Sequence, residues 1–133
     1  MDNEIQISLE GGKKVYANFH GMEIRTDQSV KEGGDGSAPE PFVLFLVSIG
    51  TCAGVYVQGY CDARNIPTDK IRLVQKLEAD IKGRLSKIVI DIIVPPDFPE
   101  KYLKPLARTA DLCAVKKMIL NPPEFEVKTV VAA

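Results

Sequence analysis

The first part of the chain alternates between apolar and polar residues and is twice interrupted by glycine. Apolar residues recur at every second position from Ile5 to Leu9 and from Val15 to Phe19, and a third short segment covers Met22 to Thr26. This pattern predicts short strands in an antiparallel meander. The polar, glycine-rich stretch from Asp27 to Pro41 has no periodicity and predicts a surface loop of about 15 residues, a length that is often functional.

The longest apolar segment runs from Pro41 to Cys61 and contains no charged residue. Pro41 suits the first turn of a helix, and the charged residues after Cys61 mark its end. The length could span a membrane, but polar residues and glycines interrupt the segment, so a buried helix of a soluble protein is favoured. Such a helix would cross a whole domain of this size. Because it is apolar on nearly every side, one small subunit cannot cover it, and a two-fold homodimer is predicted. Gly50 and Gly54 form a G-x-x-x-G motif that allows close helix approach.

Two long strands in a hairpin are predicted next. Apolar residues alternate with charged ones from Ile71 to Ile81. After a Lys-Gly-Arg turn, the inward face of the next strand is formed by Ile88, Ile90, Ile92 and Val94. Val74 and Gln75 are the exceptions to the alternation, and two prolines end the second strand.

The last part of the chain predicts helix and then a final strand. Helical periodicity extends from about Pro99 to Leu120, with a break near Asp111, because aspartate is a favoured N-cap. Alternation returns from Phe125 to Val131. If Asp111 caps the last helix, Cys113 falls at its second position, beside unpaired backbone N–H groups that favour a thiolate.

Composition and charge narrow the class of protein. The 133 residues suit a single domain, and 17 basic against 18 acidic residues give a net charge of −1. A near-neutral chain without a basic block argues against a nucleic-acid partner. Three cysteines are too few and odd in number for a secreted disulfide framework, and the first residues lack an apolar signal segment. Free thiols in the cytoplasm are therefore expected.

Few other residues offer chemistry. A single histidine excludes triads and multi-histidine metal sites, and no cysteine pair has zinc-ligand spacing, so neither a metal nor a resident cofactor is expected. The G-G-D-G-S stretch lacks the Lys-Ser or Lys-Thr of a phosphate-binding loop. Cys52 lies mid-helix in an apolar segment, where a thiol normally stays neutral. For each cysteine the alternative interpretation is a small buried hydrophobic residue.

Two cysteine-bearing segments stand out: Pro41-Phe42-Val43-Leu44-Phe45 followed by Gly50-Thr51-Cys52, and Ala110-Asp111-Leu112-Cys113-Ala114-Val115 ahead of Asn121-Pro122-Pro123. With these segments, the order of elements resembles the OsmC/Ohr family of thiol-dependent peroxidases. The resemblance implies an α+β fold built as an intertwined homodimer, with antiparallel sheets around a long central apolar helix that carries Cys52. Two active sites would then lie at the subunit interface.

The resemblance also implies a reaction, the reduction of organic hydroperoxides. One thiolate attacks the peroxide and becomes a sulfenic acid, and a second cysteine condenses with it to a disulfide. By matching position Cys52 attacks and Cys113 resolves. The residues alone favour Cys113 as the thiolate, but the family order is the one expected here, because a charge from a partner chain could activate Cys52. An external dithiol, such as a lipoyl group, would then reduce the disulfide. Cys61 has no implied role and is interpreted as core.

Two positions depart from the pattern of Ohr-type members. Those members carry Pro-Glu ten residues before the attacking cysteine, and the glutamate holds an arginine that activates the thiolate; Phe42 occupies the glutamate's position here. Lys13 stands where the arginine is expected, and Arg25 is an alternative donor. These departures favour a second function, a non-catalytic module of this fold that binds a small hydrophobic ligand. The uncharged segment from Pro41 to Cys61 leaves a third, a small membrane protein.

Overall fold

The computed structural model describes residues 3–133, which form two compact units, one ending at Val47 and the other beginning at Ser48. The N-terminal unit starts with the predicted meander: β1 (Gln6–Leu9), β2 (Val15–Phe19) and β3 (Met22–Thr26) pair antiparallel in the order β1-β2-β3. The prediction of three short strands is therefore confirmed, and the prediction of one domain over residues 1–133 stays a prediction.

The register of this sheet separates apolar from polar side chains. Ile7 lies opposite Ala17, which lies opposite Ile24, so these three side chains share one face. Tyr16 and Arg25 face each other on the opposite, polar side. Ile7 and Ile24 are nevertheless exposed in the single chain. The apolar face of the sheet is therefore only partly covered.

The glycine-rich loop is built around a buried carboxylate. Asp27 accepts hydrogen bonds from the backbone N–H groups of Gln28 (2.7 Å), Asp35 (3.3 Å) and Ser37 (3.1 Å) and from the Ser37 hydroxyl (2.7 Å). These bonds, led by those of Ser37, lower the pKa of Asp27 to about 2. The loop also contains a single turn of 3-10 helix, Val30–Glu32.

The predicted apolar helix is present as α1 (Pro41–Asp62), which has 22 residues. Its buried residues, among them Ile49, Ala53 and Val57, recur every three or four positions and so form one stripe. Apolar residues outside that stripe stay exposed, with Val55 at 69%. By length and composition alone α1 could also cross a membrane, a test that core helices of soluble proteins pass as well.

The C-terminal unit contains the remaining helices and a two-stranded sheet. The hairpin is confirmed as β4 (Arg72–Ala79) and β5 (Leu85–Ile93), which pair antiparallel. A 3-10 turn (Glu100–Tyr102) leads into α2 (Leu103–Ala110), and α3 (Ala114–Leu120) follows. The core of this unit comprises Ala53, Val57, Tyr60, Cys61, Phe98, Leu106 and Ala110.

Gln75, one of the two exceptions to the hairpin's alternation, has a packing role. Gln75 belongs to β4 and lies opposite Ile90 of β5, so its side chain points to the same face as the inward isoleucines of β5. A Cβ added at Gly50 would collide with Oε1 of Gln75. Gly50 of the G-x-x-x-G motif therefore makes room in this unit for a strand side chain, whereas the space beside Gly54 is open.

Two predictions near the C-terminus are wrong. Asp111 does not cap the last helix: it ends α2, and Cys113 is itself the N-cap of α3. The predicted strand from Phe125 to Val131 is not formed, and its apolar side chains are exposed. A strand needs a neighbouring strand to receive its backbone hydrogen bonds, and neither sheet among residues 3–133 includes this segment.

Candidate functional site

The break between α2 and α3 places Cys113 at a helix start with extended backbone angles (φ −59°, ψ 145°). In this conformation its Sγ accepts a hydrogen bond from the backbone N–H of Lys116 at 3.4 Å. The residue is 2% exposed, so the sulfur is removed from bulk water.

Cys113 also lines a cavity of about 300 Å³ in the C-terminal unit. Its polar lining residues are Asp111, Cys113 and Lys116, and the other walls are apolar. The apolar lining comes from α1, β5, α2 and α3: Ile49, Ala53, Ile88, Ile90, Ile92, Ala107, Ala110 and Ile119. The cavity is at the small end of the range for ligand sites, and it suits an apolar molecule with one polar end.

The two charged lining residues form an ion pair with each other. Nζ of Lys116 contacts a carboxylate oxygen of Asp111, and both side chains are substantially exposed, at 41% and 67%. Because it is solvated, this pair marks the water-facing side of the cavity. Cys113 therefore receives its hydrogen bond from the Lys116 backbone, while the Lys116 ammonium is engaged by Asp111.

Cys52 lies beside this cavity but is not part of its lining. On α1 it directly precedes Ala53 and follows Ile49 by three residues, and both of these residues line the cavity. At 3.6 residues per turn, the Cys52 side chain is rotated about 60° around the helix from Ile49. The structure thus brings Cys113 to the part of α1 that carries Cys52. Cys52 is half-buried, and both residues are free thiols.

Lys13 and Arg25, the predicted activating cations, belong to the N-terminal unit. Arg25 donates to Glu23 at 2.8 Å, and its guanidinium lies 5.2 Å from the centre of the Tyr16 ring. The Glu23 hydrogen bond and charge raise the pKa of Arg25. Lys13 is exposed in the turn before β2. Their predicted role in activating a thiol stays a prediction.

Cys61 has the environment expected of a core residue. It is fully buried and packs within the apolar core of the C-terminal unit. Burial, with a smaller contribution from the neighbouring Asp62 charge, raises the pKa of its thiol. It does not line the cavity.

The cavity itself is the feature that sequence reasoning missed. Its signal was present in the inward face of the second hairpin strand, where Ile88, Ile90 and Ile92 recur at every second position. Alternation identifies that face as apolar but does not say how much space remains between it and a helix. Among residues 3–133, no group of three or more His, Cys, Asp or Glu side chains is arranged to hold a metal ion.

Comparison with known protein families identifies a family for most of the chain. A family model described as OsmC-like protein matches residues 34–128, which includes both Cys52 and Cys113. The chain belongs to the OsmC-like protein family. Comparison with curated protein sequences gives no significant match.

Solved structures of the same fold come from several bacteria. A Psychrobacter arcticus 273-4 protein, provisionally named an osmotic stress induced and detoxification response protein, is 23% identical and matches with a TM-score of 0.71, covering 88% of each chain. A hypothetical protein from Aquifex aeolicus VF5 is 21% identical, with a TM-score of 0.69 and coverage of 92% of this chain and 89% of that one.

A third match carries a redox description. It is a Legionella pneumophila protein named as an organic hydroperoxide resistance protein OsmC and a redox protein, 16% identical, with a TM-score of 0.54 and coverage of 88% and 89%. At these identities the likeness establishes the mixed α+β fold with antiparallel sheets and a long apolar helix. The stress and redox descriptions belong to the Psychrobacter and Legionella proteins.

Proposed function

We propose that the protein is a cytoplasmic peroxidase that reduces organic hydroperoxides with Cys52 and Cys113. The proposal rests on one observation: Cys113 and the segment of α1 that bears Cys52 meet at one apolar cavity. Membership of the OsmC-like family and the redox description of the Legionella protein support the same chemistry. An apolar cavity with a thiol in its wall suits an alkyl or aryl hydroperoxide better than a strongly hydrated substrate.

The chemistry needs the two sulfurs and one external reductant. A thiolate sulfur attacks the terminal peroxide oxygen, so that an S–O bond forms as the O–O bond breaks and the alkoxide leaves. The alkoxide takes up the proton that the thiol has released, which gives the alcohol and a sulfenic acid. The second thiol displaces water from the sulfenic acid and forms a disulfide. An external dithiol reduces that disulfide and becomes oxidised in turn.

The test is turnover of cumene hydroperoxide with a dihydrolipoyl reductant. Cys52→Ser and Cys113→Ser should each abolish turnover, because each removes one of the two sulfurs of the disulfide. Cys61→Ala is the matched control, since that thiol is buried away from the cavity, and it should keep most of the wild-type rate. Unchanged turnover in Cys52→Ser or Cys113→Ser would contradict the proposal.

We further propose a homodimer as the working form. The exposed apolar surface of α1 supports it, since Phe42 is 59% and Val55 69% exposed in the single chain. So does the exposed apolar face of the N-terminal sheet, where Ile7 is 63% exposed. Burying such surfaces against a second copy removes them from water.

The association test uses one change on α1 and one elsewhere. Val55→Asp should convert a dimer to monomer in size-exclusion chromatography with light scattering, because it places a charge on the exposed apolar surface. Lys104→Gln on α2 alters the charge by the same amount at an exposed position outside that surface and should leave the dimer intact. A monomeric wild type, or its recovery only with detergent, would contradict the dimer.

A second candidate function rests on the same cavity. The apolar walls could hold a small hydrophobic ligand without any reaction, and Phe42 stands where the peroxidase pattern has a glutamate. Saturable binding of a fatty acid by a protein that leaves cumene hydroperoxide unreduced would favour this binding module over the peroxidase.

A further inference from the structure

We propose that residues 125–131, the C-terminal segment, add a strand to the free edge of β5 in a second copy of the chain. The inference rests on the proposed homodimer and names contacts that hold its two copies together. It gives a partner to a segment that neither sheet among residues 3–133 includes.

The C-terminal segment has the composition of a strand. Four of its seven residues are β-branched, and such residues favour an extended backbone. Its apolar side chains are nevertheless almost fully exposed, with Val127 at 98% and Val131 at 90%. An exposed apolar segment of this kind tends to pair with a free strand edge, because pairing satisfies its backbone and covers its side chains.

A groove of about 420 Å³ lies beside β5 and fits such a segment. Its lining comprises five consecutive residues, 90–94, together with three residues of α2: Leu103, Leu106 and Ala107. Consecutive strand residues point to opposite faces, so a groove lined by five in a row borders the edge of the strand. Because β4 lies on the other side of β5, this edge presents backbone N–H and C=O groups to a further strand, and α2 adds an apolar wall.

An antiparallel alignment of the C-terminal segment with β5 matches apolar to apolar and charge to opposite charge. With Val127 opposite Ile92, Lys128 lies opposite Asp91, and such cross-strand pairs are stabilising. On the apolar face the same alignment pairs Phe125 with Val94, Thr129 with Ile90 and Val131 with Ile88.

Asp91 can accept the additional cation. Its carboxylate already contacts Nζ of Lys76 at 2.6 Å, and its side chain is 41% exposed. A carboxylate offers about four lone-pair sites on its two oxygens, so it can accept from Lys76 and from Lys128 together.

A second copy is the occupant that the exposures favour. Within one chain the side chains of the C-terminal segment are exposed, so the segment does not lie in its own groove. The groove is open as well, since Ile93 is 36% and Leu103 44% exposed. In a two-fold homodimer the exchange is reciprocal, and both segments and both grooves are covered.

The first test is a cross-linking experiment on the wild-type chain. Heavy-nitrogen-labelled and unlabelled proteins are unfolded together in urea, refolded, and treated with a water-soluble carbodiimide, which joins an amine directly to a carboxylate in contact with it. Mass spectrometry should find Lys128 joined to Asp91 in linked peptides that combine a labelled and an unlabelled chain.

The outcomes separate this proposal from the earlier ones. Links between Lys128 and Asp91 only in peptides of equal label would place the segment on its own chain and overturn the exchange. A dimer in which Lys128 stays unlinked, or is linked only to other carboxylates, would overturn the docking and leave the dimer and the peroxidase standing. A monomeric wild type would overturn the dimer and the docking with it.

The second test removes one backbone donor from the C-terminal segment. Val127→Pro should raise the dissociation constant of the dimer at least about 10-fold, because proline lacks the N–H that a strand pair needs. It should also remove the hydrogen-exchange protection of residues 90–94. Val127 is exposed in the single chain, so each chain should still fold. Ala132→Pro, beyond the segment, is the matched control and should change neither value. Unchanged protection of residues 90–94 in Val127→Pro would overturn the docking.

Discussion

Cys61 and Cys113 are equally removed from solvent, at 0% and 2% exposure, yet their surroundings differ in kind. Cys61 packs among apolar side chains, and burial raises the pKa of its thiol. Cys113 accepts a backbone N–H and borders an open cavity. Two thiols that are equally buried therefore differ in their hydrogen bonding and in the space beside the sulfur.

The largest expected effect is on thiol reactivity in the native protein. Iodoacetamide should alkylate Cys113 at least about 100-fold faster than Cys61, because Cys61 reacts only when its core opens. The rates are measured by mass spectrometry of peptides after timed quenching. Similar rates at the two sites would mean that the cavity does not give access to Cys113.

The same substitution should affect stability differently at the two sites. Cys61→Ser buries a hydroxyl among apolar side chains and should lower the free energy of unfolding by about 1–3 kcal/mol. Cys113→Ser should cost much less, because serine is a favoured N-cap and can accept the same N–H from Lys116. Urea unfolding of the two variants and the wild type measures both values. Equal losses of stability would contradict the distinction.

Filling the cavity should slow the reaction of a bulky peroxide more than that of a small one. Ala107 is exposed and lines the cavity, so Ala107→Phe should reduce kcat/KM for cumene hydroperoxide by roughly 10-fold through lost space. The rate with hydrogen peroxide, which needs little space, should change little. Arg108→Phe on the same helix, outside the lining, serves as the control. An equal effect on both peroxides would argue against the cavity as the substrate site.

Asp27 is a third buried group, and its carboxylate oxygens accept several hydrogen bonds. Its pKa is about 2 in the folded chain against an ordinary value of 3.8, so it stabilises the fold fully above pH 4 and loses that effect as the pH falls toward 2. Asp27→Asn should remove this part of the acid dependence. Circular dichroism during acid titration of both proteins measures it. Superimposable acid transitions would show that the Asp27 carboxylate contributes nothing.

Local patterns predicted much of this fold, and the failures have a common physical cause. The strands of the meander, α1 and the hairpin follow from alternation, glycine and proline, which act through neighbouring residues. The strand from Phe125 to Val131 was wrong because pairing requires a partner that local pattern does not supply. The cap of α3 was wrong by two residues, since cysteine competes poorly with aspartate in cap preferences, and the tertiary fold decided otherwise.

The candidate site, too, could be predicted only in part. Cys113 was recognisable as a thiol near a helix start, and Cys52 as a thiol on an apolar helix. The cavity that Cys113 lines depends on how α1, β5, α2 and α3 pack, which a linear pattern does not encode. Gln75 interrupts the alternation of its strand, and Asp27 begins the polar loop. Both have packing or hydrogen-bonding roles within their own units.

The most direct test of the two-thiol chemistry is a peroxide titration of the reduced wild-type protein, read as thiol loss and as a map of linked peptides. One equivalent of cumene hydroperoxide should remove two thiols per chain and give a single Cys52–Cys113 disulfide, with Cys61 still reduced. Retention of all three thiols, or a disulfide that includes Cys61, would contradict it.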